Sequence, residues 1–201
     1  MNLANIGVIG AGTMGNGIAQ VCAQAGFDVT LLDIAQGALE KALATIGKNL
    51  DRQVSKGTLG EDDKLAALGR IRISTDYGVL KDAQLVIEAA TENLDLKLKV
   101  LQQIAAQVSA ECVIASNTSS LSITQLAASV SAPERFIGLH FFNPVPVMGL
   151  IEVIRGLQTS DATHALAMDM AQRLGKTAIT AGNRPGFVAV SYTHLTLPTK
   201  A

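Results

Sequence analysis

Apolar residues near the start of the chain follow two different rhythms. Ile6 to Ile9 and Val29 to Leu32 are short continuous runs, whereas Met14, Ile18, Val21 and Cys22 recur at helical spacing between them. Runs of four or so apolar residues bounded by turn formers fit buried strands, and a three-to-four-residue period fits one face of a helix. The expected order is therefore strand, helix, strand. After Asp33 the pattern predicts a long helix over 36–56, a turn at Gly57 to Gly60 and a short helix over Asp62 to Leu68. That excursion exceeds what a minimal crossover requires. Strands are then expected at Ile71 to Ser74, Leu85 to Glu88 and Val113 to Ser116, with a helix over Asp95 to Val108 between the last two.

The stretch "GAGTMG" between the first strand and the first helix matches G-x-G-x-x-G at Gly10, Gly12 and Gly15. Alone the pattern is weak, but here it follows a strand, opens a helix, and the next strand ends on an acidic residue, Asp33. Gly10 permits the tight turn, Gly12 lets a pyrophosphate approach the backbone, and Gly15 lets the helix pack on the strand. Thr13 and Met14 open the helix, whose N-terminus suits the phosphates. Asp33 would accept hydrogen bonds from the adenosine ribose and repel a 2′-phosphate, while Ile34 and Ala35 offer no cation to neutralise one. NAD is favoured over NADP. The competing explanation is a glycine turn in an ordinary parallel unit. With right-handed crossovers, the continued alternation predicts an α/β fold: a Rossmann-like doubly wound, mostly parallel sheet with a helical excursion after its second strand.

Composition narrows the partners. The 201 residues are 48% hydrophobic and 16% charged, with a formal charge of -1. Neither a nucleic-acid-binding nor an anionic-membrane-binding surface is expected from that balance. Residues 1–27 carry no charge, but asparagines, glutamines and glycines interrupt them and no basic segment precedes them, so neither a signal peptide nor a span is read there. Cys22 and Cys112 are far apart in apolar surroundings, without metal-ligand spacing, and no metal is expected. Reduced buried thiols fit a cytoplasmic setting.

Ligands of such a sheet collect at the carboxyl ends of its strands. Three clusters are expected there: "EAATENLDLK" (88–97), "SNTSSL" (116–121) and "GLHFFNPVPVMGLIEVI" (138–154). The last carries His140 and, twelve residues on, Glu152 in an otherwise uncharged apolar stretch. A carboxylate reaching the imidazole would fix its tautomer and stabilise its protonated form, which suits a general base. Pro144 and Pro146 would stiffen the loop between them. A core histidine with an unrelated glutamate is the alternative. Separately, Lys41, Lys48, Arg52 and Lys56 fall near one face of the long helix, either as a solvated face or as a surface for a phosphorylated substrate.

From about residue 4 to Ala189 the sequence resembles the L-3-hydroxyacyl-CoA dehydrogenases, including bacterial 3-hydroxybutyryl-CoA dehydrogenases. The motifs "GVIGAGTMGNGIAQ", "EAATEN", "SNTSSLSIT", "GLHFFNPVPVM", "IEVI" and "RPGFV" carry it, in the family's order. The resemblance implies that His140 is the catalytic base, Glu152 its orienting partner and Ser119 the serine that hydrogen-bonds the reacting substrate. Glu92 and Lys97 match residues lining the cofactor and substrate cleft, and Lys56 matches a lysine that contacts coenzyme A. Asn49 stands where some members have a coenzyme A-contacting serine. The implied reaction is reversible oxidation of a 3-hydroxyacyl-CoA by NAD. Two other readings are a non-catalytic dinucleotide-binding module and a related dehydrogenase of a free hydroxyacid.

The family continues past "RPGFV" into a helical domain that closes the cleft and makes most of a homodimer contact. Here "VSYTHLTLPTKA" follows, with neither helical periodicity nor family resemblance, and Val190 occupies the place of a substrate-binding asparagine. Residues 1–189 are thus expected to form the NAD-binding domain, and 190–201 a non-native tail of translated adapter sequence in place of the helical domain.

Overall fold

A computed structural model describes residues 3–183. The expected tail, "RPGFV" and Val190 lie outside the described residues. Strands β1 (Asn5–Ile9), β2 (Asp28–Leu32), β3 (Ile71–Ser74), β4 (Leu85–Glu88), β5 (Val113–Ser116), β6 (Phe136–Phe141), β7 (Leu150–Ile154) and β8 (Thr177–Ala181) form one sheet in the order β3-β2-β1-β4-β5-β6-β7-β8. β3 to β6 pair in parallel, β7 is antiparallel to β6, and β8 is parallel to β7. The order reverses between β1 and β4, which is where a doubly wound sheet opens a crevice for ligand.

Both faces of the sheet are covered at its centre, so β1, β4, β5, β6 and β7 are buried almost throughout rather than alternating, whereas the edge strands β3 and β8 keep exposed positions. Within β4, Leu85 and Ile87 point to one layer and Val86 to the other. The first layer holds α1 (Thr13–Gln24), α2 (Gln36–Ser55), α3 (Glu61–Gly69) and α6 (Asp161–Arg173), through residues such as Ile18, Leu39, Ala67 and Met170. The second holds α4 (Leu94–Gln107), α5 (Ile123–Ala127) and the 3-10 turn at Tyr77–Asp82, through Leu101, Leu126 and Leu80.

Element boundaries expected from periodicity agree with the structure to within about a residue, because glycine turns and capping residues mark them. Asn93 caps α4 by accepting from the Leu96 amide, and Ser160 caps α6 by accepting from the Thr163 amide. One expectation changes. The 138–154 cluster, expected at the carboxyl end of a strand with a proline-containing loop between His140 and Glu152, holds strand on both sides of that loop: β6 and β7 form an antiparallel hairpin whose connection contains the cis Asn143–Pro144 bond. Every residue of β6 is buried, so no period-two alternation marked it as a strand.

Candidate active site

The site is built on the carboxyl ends of β1, β2 and β4 to β6. Gly10 leaves β1 with φ +99°, in the left-handed region that L side chains avoid. A Cβ on Gly15 would overlap the Gly10 carbonyl oxygen, so a side chain there would force α1 away from the turn. Gly12, the N-cap of α1, has no side chain to cap the helix, and it is exposed together with Thr13. Met14 is half-buried and packs on the core. The opening of α1 thus offers backbone N–H groups and the positive end of a helix dipole.

Asp33 does more than end β2. Its Oδ2 accepts from the Ala11 amide at 2.8 Å and its Oδ1 from the Ala35 amide at 3.0 Å, so the carboxylate clasps the glycine loop to the turn before α2. A cleft of about 590 Å³ opens here, with the glycine loop and Asp33 along one side, Lys41 and Asn49 of α2 along another, and Asn143 to Pro146 facing them. A glycine-lined turn that closes only without Cβ atoms, an uncapped helix N-terminus and an acidic residue beside them fit a dinucleotide such as NAD.

His140 and Glu152 are register partners across the β6–β7 pairing. Nδ1 of His140 lies 2.7 Å from Oε2 of Glu152, with Glu152 fully buried and His140 7% exposed. Twelve residues in sequence become direct neighbours because the hairpin folds between them. The imidazole also lies 4.6 Å, centroid to centroid, from the Phe142 ring, at a tilt of 51°. Ser119 is half-buried in the loop after β5, the strand beside β6. That loop is tied to the histidine strand by Asn117, whose Oδ1 accepts from the Phe141 amide at 2.9 Å.

The remaining expected site residues divide. Glu92 is exposed and accepts from Thr118 Oγ1 at 2.8 Å, which brings it to the Ser119 loop. Lys97 lies beneath the surface, 1% exposed, with Nζ 2.5 Å from Glu88 Oε2 and 3.3 Å from Ser116 Oγ. Its ammonium therefore braces the loops around the cleft from below. Lys56 is exposed just past the end of α2, about 10 Å along the helix axis from Asn49. Of the cationic stripe, Lys41 lines the cleft, whereas Lys48, Arg52 and Lys56 do not.

Four polar residues of the site fall inside the three expected clusters but had no role of their own assigned from the sequence. Glu88 and Ser116 end neighbouring strands as register partners, and Ser116 Oγ donates to Glu88 Oε2 at 2.8 Å. Thr118 Oγ1 accepts from the Ser120 and Leu121 amides and so shapes the turn around Ser119. Asn143 lines the cleft directly. The usable signal was a polar residue closing an apolar run, repeated at Glu88 and Ser116. Tyr77 lies near this floor; burial, then the charges of Asp33 and Glu88, push its phenol up. Among the described residues no group of three or more His, Cys, Asp or Glu is placed to hold a metal, and no helix is long and apolar enough to cross a membrane.

Fold and site together define an NAD-type dinucleotide-binding domain with a buried histidine–carboxylate pair on the hairpin whose connection, Asn143 to Pro146, walls the cleft. The family model described as "3-hydroxyacyl-CoA dehydrogenase, NAD binding domain" matches residues 5–184, and the chain belongs to that family. It is 47% identical over 186 residues to a 3-hydroxybutyryl-CoA dehydrogenase of Bradyrhizobium diazoefficiens, covering 92% of this chain and 64% of that protein. It is 48% identical over 183 residues to a probable 3-hydroxybutyryl-CoA dehydrogenase of Deinococcus radiodurans, covering 91% and 66%. The chain thus spans just under two thirds of the length of these relatives. The crystal structure of (S)-3-hydroxybutyryl-CoA dehydrogenase from Ralstonia eutropha superposes with a TM-score of 0.94 at 55% identity, covering 96% of this chain and 68% of that one.

Proposed function

We propose that the protein is an NAD-dependent oxidoreductase that interconverts a 3-hydroxyacyl-CoA and the corresponding 3-oxoacyl-CoA, with 3-hydroxybutyryl-CoA and acetoacetyl-CoA as the representative pair. The observation that carries this reading is the buried His140–Glu152 pair at 2.7 Å, held across two strands beside the loop carrying Ser119. The names of the relatives support the acyl-CoA class.

In the oxidative direction His140 takes the proton of the C3 hydroxyl at Nε2, since Nδ1 is turned to Glu152. Glu152 offsets the positive charge that then develops on the ring and keeps the ring plane fixed. Ser119 donates to the same substrate oxygen and holds it near the imidazole. NAD, when bound, supplies the acceptor for the hydride leaving C3. Gly10, Gly12, Thr13, Met14 and Gly15 would hold its pyrophosphate and Asp33 its adenosine ribose, with Glu92 and Lys97 supporting the walls. Lys56 contacts the nucleotide end of coenzyme A. A cytoplasmic setting, supported by two free buried cysteines, and a homodimer of the full-length protein through the family's helical domain belong to the same proposal.

The test is NADH oxidation by acetoacetyl-CoA alongside NADH fluorescence titration. His140→Gln should cut turnover by about 10²–10⁴-fold, the usual worth of a positioned base, while NADH affinity stays within about twofold. Near-normal turnover in that variant overturns the assignment. Fluorescence quenching without turnover in the unsubstituted chain favours the binding-module reading.

A further inference from the structure

The connection between β6 and β7, residues 142–149, walls the cleft yet has little apolar anchorage. Asn143, Pro144, Val147, Met148 and Gly149 are exposed, Val147 by 77%. Val145 is the buried side chain of this segment, and it sits against α1 at Gly17, where an added Cβ would come within 2.8 Å of Val145 Cβ. Burial of one valine is little to set against the entropy of ordering so many residues.

A second restraint comes from the far side. Lys176, between α6 and β8, donates from Nζ to the carbonyl oxygens of Val145 at 2.8 Å and Met148 at 2.6 Å. The next amide, Thr177, donates to the Gly149 carbonyl at 2.7 Å. Within the segment the Val147 and Met148 amides both donate to the Pro144 carbonyl, at 2.9 and 3.0 Å. These bonds draw the segment into a turn whose carbonyls converge on one ammonium, a donor-only group with three N–H bonds. Hydrogen bonds to a charged donor are roughly twice as strong as neutral ones. Lys176 itself is not among the residues lining the cleft.

We propose that Lys176 is a positioning residue, a strap that holds the Asn143–Gly149 turn in place as the wall of the dinucleotide cleft. The cofactor half of this proposal rests on reading that cleft as the NAD site; the mechanical half does not. Pinned between Gly17 and Lys176, the turn presents Asn143 and Pro144 to the cleft at a fixed distance from the glycine loop, and it leaves β6 only two residues after His140. Release of the strap lets the wall swing outward. Affinity for the cofactor then falls, because part of the binding energy is used to order the turn again.

Hydrogen exchange read by mass spectrometry, together with NADH titration, tests both halves. In Lys176→Met, exchange across 143–149 should rise by about tenfold while the core strands stay protected, and the NADH Kd should rise by about tenfold. Lys176→Arg, which keeps a cationic donor, should recover most of both effects. Lys176→Gln, which keeps a neutral donor, should raise exchange in the same segment by less than Lys176→Met, so the strap remains testable if Lys176→Met does not fold. Unchanged exchange across 143–149 in a folded variant without the Lys176 cation overturns the proposal, and so does faster exchange there with unchanged NADH affinity. Faster exchange in a protein whose wild type fails to bind NADH supports the strap and overturns the cofactor reading of the cleft.

Discussion

Glu88 and Lys97 show how a residue can serve a site without facing it. Both are buried, and Glu88 Oε2 takes Lys97 Nζ at 2.5 Å and Ser116 Oγ at 2.8 Å, while its Oε1 accepts from the Ala90 amide at 2.9 Å. The pair therefore fixes the starts of the two loops that carry Glu92 and Ser119. Removing one partner of such a pair strands the other charge, at a cost of about 3–5 kcal/mol, although a matched apolar replacement of both is often neutral. Lys97→Met should accordingly lower the urea midpoint sharply, and adding Glu88→Gln should recover most of the loss. A Lys97→Met protein with the wild-type midpoint would show that the pair is not bracing the loops. The sequence announced Lys97 through family likeness alone. Its burial was hidden because the partners Glu88 and Ser116 meet through strand register, 28 residues apart in sequence, which no local spacing reports.

Helix α2 divides its surface among three tasks. Leu39, Ala42, Ile46 and Leu50 face the core, and Lys41 and Asn49 line the cleft. A chain of side-chain amides fixes α2 to α1: Asn49 donates to Gln20, Gln20 to Gln24, and Gln24 to Gln53. The 36–56 helix was legible to within a residue from its apolar period and the glycine turn after it. The division of its cationic stripe was not, since Lys41 and Lys56 share a face but lie fifteen residues apart, about 22 Å along the axis. Lys41 thus reaches the dinucleotide cleft while Lys56 stands beyond the helix end, where only an extended ligand reaches it. Lys56→Ala should raise the KM for acetoacetyl-CoA about two- to fivefold, the scale of an exposed ion pair. The KM for a short thioester lacking the nucleotide should stay unchanged. No change for either substrate favours a free hydroxyacid.

Over the whole molecule, one sheet separates two apolar layers, and each layer contains one cysteine. Cys22 of α1 belongs to the layer of α2 and α6, and Cys112 before β5 to the layer of α4 and α5. Burial pushes both thiols up to about 12, with Lys176 opposing slightly at Cys22, and the Val86 backbone and Arg135 opposing at Cys112. In the unfolded chain each titrates near its ordinary value of 9.0. The stability they contribute is therefore full below pH 9 and is withdrawn as pH rises from 9 towards 12, because the unfolded chain gives up thiol protons that the folded one retains. Between pH 9 and 10 each thiol should steepen the loss of stability by about 1 kcal/mol per pH unit. A Cys22→Ala, Cys112→Ala protein should lose stability less steeply over that interval by about twice this amount; an identical slope would mean that the thiols titrate alike in both states. The two cysteines also test whether the layers separate. Strands such as β4 place Leu85 and Ile87 in one layer and Val86 in the other, so neither layer can open without disturbing the strands that support both. Iodoacetamide at pH 8 should leave both thiols unmodified in the native protein and label both at a common urea midpoint. Labelling of Cys112 at lower urea than Cys22 would show that the α4–α5 layer, which carries the loops of Glu92 and Ser119, opens while the glycine-loop layer stays closed.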